Sequence, residues 1–288
     1  MAEVETDAVT GTPTTGHEWD GIKELNTPLP KWWLYVLYAT IAWSVVWWIL
    51  YPSWPGITGY FGGLLGYDQR AALRERMAEA DAARALHLER LEGAALAEIT
   101  EDPELMAVAF AGGEAAFADN CAPCHGLGGA GQGFYPTLAD DAWLWGGTLD
   151  AIHQTVLYGV RSAHPDTRLS EMPAFGALQM LPREEVDAVA EYVLQLAGEE
   201  HDAAAAGQGA EVFAAQCTVC HGDDGRGLEE FGAPNLTDQI WLYGGDKGSI
   251  LTQIHRPRHG VMPAWTGRLS PETLKSLAVY VHALGGGQ

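Results

Sequence analysis

The motif Cys-x-x-Cys-His occurs at Cys121 and again, ninety-six residues later, at Cys217, and each copy opens into a glycine-rich stretch, GLGGAGQG or GDDGRG. The likeness runs far beyond the motifs. GGEAAFADNCAPCHG aligns with QGAEVFAAQCTVCHG, with Phe117 and Phe213 each four residues before the first cysteine. Pro136 in FYPTL pairs with Pro234 in GAPNL, Trp143 in WLWGG with Trp241 in WLYGG, Met172 in MPAFG with Met262 in MPAWTG, and AEYVLQL with AVYVHAL. A self-similar period of about ninety residues is one small folding unit used twice. The chain therefore reads as two domains, 102–200 and 201–288, behind a different N-terminal part.

All four cysteines lie in the two motifs, so no thiol remains for a structural disulfide. Zinc fits poorly, because its paired cysteines usually stand closer together and nothing in a zinc site calls for a histidine directly after each pair. Cys-x-x-Cys-His is the attachment sequence of a c-type haem. Cysteines three apart on a helical turn point the same way, so both sulfurs reach the porphyrin vinyl groups and the next histidine projects under the iron. Two motifs predict two covalently bound haem c groups, on Cys121 and Cys124 with His125, and on Cys217 and Cys220 with His221.

A sixth iron ligand must come from elsewhere, and Met172 and Met262 stand 47 and 41 residues after His125 and His221. Each precedes a proline, which holds it in extended chain. Met180 is the alternative to Met172; the repeat match favours Met172, while Met77 and Met106 read as packing residues. Ligation within one copy is the default, but two neighbouring copies can also exchange their methionine loops. Pro136 and Pro234 offer carbonyls to orient the histidines. His153, His164, His255 and His259 have no counterparts in the other copy and read as surface or packing residues. The glycine-rich loops lack a P-loop's Lys and Ser/Thr and read as chain reversals around a haem edge.

Residues 32–51, WWLYVLYATIAWSVVWWILY, carry no charge over twenty positions and have aromatic belts at both ends, as a membrane-crossing helix requires. A cleaved signal peptide would need a basic leader and a shorter apolar run, and the preceding residues are acidic. A buried core helix is a poor match to so long an uncharged run. The expected order is a cytoplasmic segment 1–31, a span 32–51, and 52–101 as an interfacial stretch and helical linker.

Acids outnumber bases 38 to 16, a formal charge of −22, which argues against nucleic acid as a partner. Residues 102–200 hold fifteen acids and three bases, against nine and six in 201–288. The first domain is thus expected to steer a basic cytochrome c.

HEWDGIKELNTPLPKWW before the span, YPSWPG and GLLGY after it, APNLTDQIWLYGG and the ending AVYVHALGGGQ resemble the membrane-anchored dihaem subunit III of cbb3-type cytochrome c oxidases. The resemblance implies a mainly α fold: one N-terminal transmembrane helix, a helical linker and two tandem cytochrome c-type haem domains. It implies Met172 and Met262 as distal ligands and no catalytic residue on this chain. The implied role is to pass electrons from a donor cytochrome c to a monohaem cytochrome c subunit and a haem-copper catalytic subunit, where oxygen is reduced and protons are pumped. The haem domains are then expected in the periplasm, outside a bacterial inner membrane. The competing readings are a membrane-anchored dihaem peroxidase, which needs a haem with a displaceable sixth ligand, and a free-standing dihaem carrier.

Overall fold

The computed structural model describes residues 4–287. The chain divides after Ala82 into two compact units.

In the first unit, strands β1 (Thr14–Trp19) and β2 (Ile22–Leu25) form an antiparallel hairpin. It turns at Asp20 and Gly21, both at positive φ, as a two-residue hairpin turn demands. Helix α1 (Lys31–Leu50) is apolar all round with no buried residue, and it is long and apolar enough to cross a membrane. It ends one residue before the expected limit. Tyr51 is extended (φ −113°, ψ 162°) because Pro52 disfavours helical backbone in the residue before it. The chain then folds back on the helix end. Leu64 and Leu65 donate their N–H groups to the carbonyls of Ile49 and Leu50, at 2.9 and 3.1 Å, satisfying acceptors that the last turn leaves open.

Helix α2 (Gln69–Gly93) is polar and exposed until Leu91, its one buried residue. From there the expected linker becomes core: Leu91, Leu96 and Ile99 are buried among residues of the second unit. Lys275 fastens this junction, its ammonium donating to the carbonyls of Leu91, Glu92 and Ala94.

The second unit continues with α3 (Leu96–Glu101), α4 (Pro103–Asn120), α5 (Ala122–His125), α6 (Leu149–Tyr158), α7 (Arg183–Leu196), α8 (Ala203–Gln216), α9 (Thr218–His221), α10 (Lys247–His255) and α11 (Pro271–His282). Side chains of Asp102 and Asp202 cap α4 and α8 by accepting two backbone N–H groups each.

The packing does not follow the two sequence copies. Helix α7, from the first copy, packs on α8 and α10 of the second, and α11, from the end of the chain, packs on α4 and α6 of the first. Each crossing uses the same device. A Cβ on Gly113 would lie 2.2 Å from the Ser276 carbonyl oxygen, and one on Gly209 would lie 2.0 Å from that of Ala188, so only glycine allows either approach. Tyr280 packs on Phe117 at 5.3 Å between ring centroids, and Tyr192 on Phe213 at 5.2 Å. The result is two lobes. An inner lobe spans 171–258 without a break, and an outer lobe joins 103–160 to 259–287, with the inner lobe inserted between its halves.

Candidate haem sites

In both lobes the Cys-x-x-Cys-His motif forms a single helical turn, α5 or α9, following a longer helix whose end it extends. His125 N–H donates to Cys121 O at 2.9 Å and His221 N–H to Cys217 O at 2.9 Å, which sets each first cysteine and its histidine on one face. The chain leaves the turn through Gly126 (φ 74°) or Gly222 (φ 76°), where a left-handed backbone favours glycine.

Each histidine ring is held from behind. His125 Nδ1 lies 3.0 Å from Pro136 O and His221 Nδ1 3.1 Å from Pro234 O. A carbonyl only accepts, so Nδ1 carries the proton and Nε2 keeps its lone pair free for a metal. Burial lowers the pKa of both rings, opposed in part by these bonds, which favours the neutral imidazole that ligation needs. Burial, and after it the second cysteine of each motif, pushes the Cys121 and Cys217 thiols up to about 11.

A cavity of about 1090 Å³ opens over His221, Cys217 and Cys220, with Met172, Phe175, Ile250 and Ile254 among the residues that line it. Its size and mixed apolar lining suit a porphyrin-sized ligand, and the free Nε2 and two thiols beside it are the donors a covalently bound haem requires. The donor set fits. The same cavity reaches Tyr135 and Pro136, behind His125 of the outer lobe.

The helix exchange carries the methionines with it. Met172 packs in the inner core with Phe213, Cys217 and Trp241, whereas Met262 packs in the outer core with Phe117, Cys121 and Trp143. Met262 is pinned there by Val160, the two backbones exchanging hydrogen bonds of 3.0 Å in both directions. Each motif thus shares a core with the methionine of the other sequence copy. Met180 is 52 % exposed and belongs to neither core. His164 stacks on Tyr158, His153 is half-buried on α6, and His255 is exposed beside Gly176; His259 lines the rim of the inner cavity.

The lobes meet through repeat-related contacts. Tyr243 of the inner lobe lies against Phe134 at 5.7 Å, and its counterpart Trp145 fills the space over Gly232, the residue equivalent to Phe134. Arg258 stacks on Phe134 and Arg168 on Trp145, at 5.0 and 5.5 Å. Both arginines stand four residues before a paired methionine. Sequence reading passed over them because a lone arginine in a loop carries no motif.

Helical lobes built on Cys-x-x-Cys-His turns, following a helix fit to cross a membrane, define a c-type cytochrome with its own candidate anchor. A family model described as the N-terminal domain of cytochrome oxidase-cbb3, FixP, matches residues 11–58, and one described as cytochrome c oxidase, cbb3-type, subunit III matches 108–193 and 204–281. The chain belongs to this family of cbb3-type oxidase subunits, and it is an electron-transfer subunit of the cytochrome c oxidase complex. It is 52 % identical to the subunit FixP of Bradyrhizobium sp. (strain ORS 278), over 99 % of this chain and 98 % of that one. The subunits CcoP of Azospirillum brasilense and Cereibacter sphaeroides are each 48 % identical, over 100 % and 96 % of both chains.

Proposed function

We propose that the chain binds two haem c groups with exchanged axial methionines. Cys121, Cys124 and His125 hold one with Met262, and Cys217, Cys220 and His221 hold the other with Met172. When bound, each haem supplies a one-electron iron couple. The protein's part would be to anchor each haem through the two cysteines of its motif, to offer its iron a neutral imidazole and a methionine sulfur, and to exclude water. Methionine opposite histidine favours a high reduction potential. With a histidine and a methionine both committed to each iron, this subunit would act as a relay and the bond chemistry would belong to the catalytic subunit.

The donor is a cytochrome c, and the acceptors are a monohaem cytochrome c subunit and the haem-copper subunit. Helix α1 crosses the bacterial inner membrane with its N-terminal side in the cytoplasm, where Lys23 and Lys31 lie, and the haem lobes stand in the periplasm. The anchoring of Met262 to Val160 in the outer lobe is the observation that carries the ligand assignment.

Two bound haems are expected by intact mass. In a full-length chain with Cys217→Ser and Cys220→Ser, which keeps only the haem on Cys121 and Cys124, Met262→His should lower the potential and abolish the methionine–iron absorption band. Met172→His should leave both unchanged. The reverse pattern would assign each methionine to its own copy and defeat the exchange.

A further inference from the structure

Arg161 touches both chain segments that lead into the methionines. Its Nε donates to Gly260 O at 2.7 Å and its Nη1 to Ser170 O at 2.9 Å. Ser170 stands two residues before Met172 and Gly260 two residues before Met262. The planar fork of the guanidinium therefore joins equivalent points on two chain segments that lead to different lobes.

The backbone around it is equally committed. Arg161 has a positive φ of 52°, uncommon for a residue with a side chain, and its N–H donates to Arg168 O at 2.8 Å. Its neighbour Val160 is buried and bridges Arg168 on one side and Met262 on the other. The second copy has no equivalent. Thirteen residues separate Tyr158 from Met172, but only six separate His255 from Met262, and Arg161 lies in the longer connection. A repeat-related pair of segments is thus served by one unrepeated residue, which, like Met172, lines the inner cavity.

We infer that Arg161 is a positioning residue for both axial methionines at once, so that the two haem sites share a single fastening. This rests on the exchanged ligation proposed above. Loss of the fork frees both strands two residues from their sulfurs, and each methionine then yields more readily to a competing ligand.

The test is imidazole binding to the ferric full-length chain, with the two haems resolved by electron paramagnetic resonance and their potentials measured by redox titration. Arg161→Met should raise imidazole affinity at both haems by about tenfold, the equivalent of one lost hydrogen bond to a charged group, and lower both potentials. Arg161→Lys keeps the charge without the fork and should show the same direction at both haems with smaller size; it is read alone if the methionine variant does not accumulate. A change confined to one haem, or none at either, in a chain whose wild type shows two methionine-ligated haems overturns the role of Arg161. A wild type with no methionine-ligated haem overturns the ligand assignment itself.

Discussion

Glu191 is buried in α7, bonded to Lys247 at the start of α10 and accepting the Asp202 N–H at 2.9 Å. The outer lobe solves the same place without charge. Val279, before Tyr280 as Glu191 is before Tyr192, is buried there, and Leu149 stands where Lys247 does. The two lobes thus compare an ion pair with a hydrophobic pair in one fold, and such a replacement is often neutral or stabilising. Lys247→Leu alone strands a buried carboxylate and should cost about 1–3 kcal/mol; adding Glu191→Val should recover most of it. Denaturant unfolding of the full chain measures both. The hydrogen bond from Lys247, then that from Asp202, holds the Glu191 carboxyl below its ordinary value of 4.5. Its contribution is complete above that value and is lost as pH falls through the lowered one, so acid should weaken the inner lobe through a group that the outer lobe lacks. The repeat alignment sets Glu191 against Val279, but only the structure brings Lys247 to it.

Helices were legible where local signals agree: both motif turns, the apolar α1, and α2 in the expected linker. Which helix packs on which was not. Gly113 and Gly209, Phe117 and Phe213, and Tyr192 and Tyr280 are equivalent pairs, so own-copy and crossed packing satisfy the same contacts. The deciding signal is loop length. Only 197–202 separate α7 from α8, and so short a connection makes antiparallel neighbours. The hairpin β1–β2 was overlooked although Asp20–Gly21 marks it. A double-mutant cycle distinguishes the packings: Phe117→Leu with Tyr280→Leu should couple by about 0.5–1.5 kcal/mol, and Phe117→Leu with Tyr192→Leu should be additive. Coupling to Tyr192 instead would restore own-copy packing.

At the scale of the molecule, the exchange relocates charge. By lobe, 171–258 hold fifteen acids and five bases, whereas 103–160 with 259–287 hold seven and two. The acids of α7 and the loop after it, counted with the first motif when the chain is read in order, belong to the lobe of the second. The inner lobe therefore has the stronger negative field, and the expectation that the 102–200 segment steers a basic donor is revised accordingly. Glu184→Lys with Glu199→Lys should slow reduction by a basic cytochrome c several-fold at low ionic strength and flatten its salt dependence. The same reversal at Glu104 and Asp119 should do less; stopped-flow rates against ionic strength would expose the opposite ranking.

Insertion of one lobe within the other also imposes an order of manufacture. A ribosome delivers residues 171–258 as a finished set while the outer lobe still waits for its last helix and its methionine. The lobe begun first is completed last, and a chain that stops some thirty residues short leaves unfinished the core whose cysteines were made earliest.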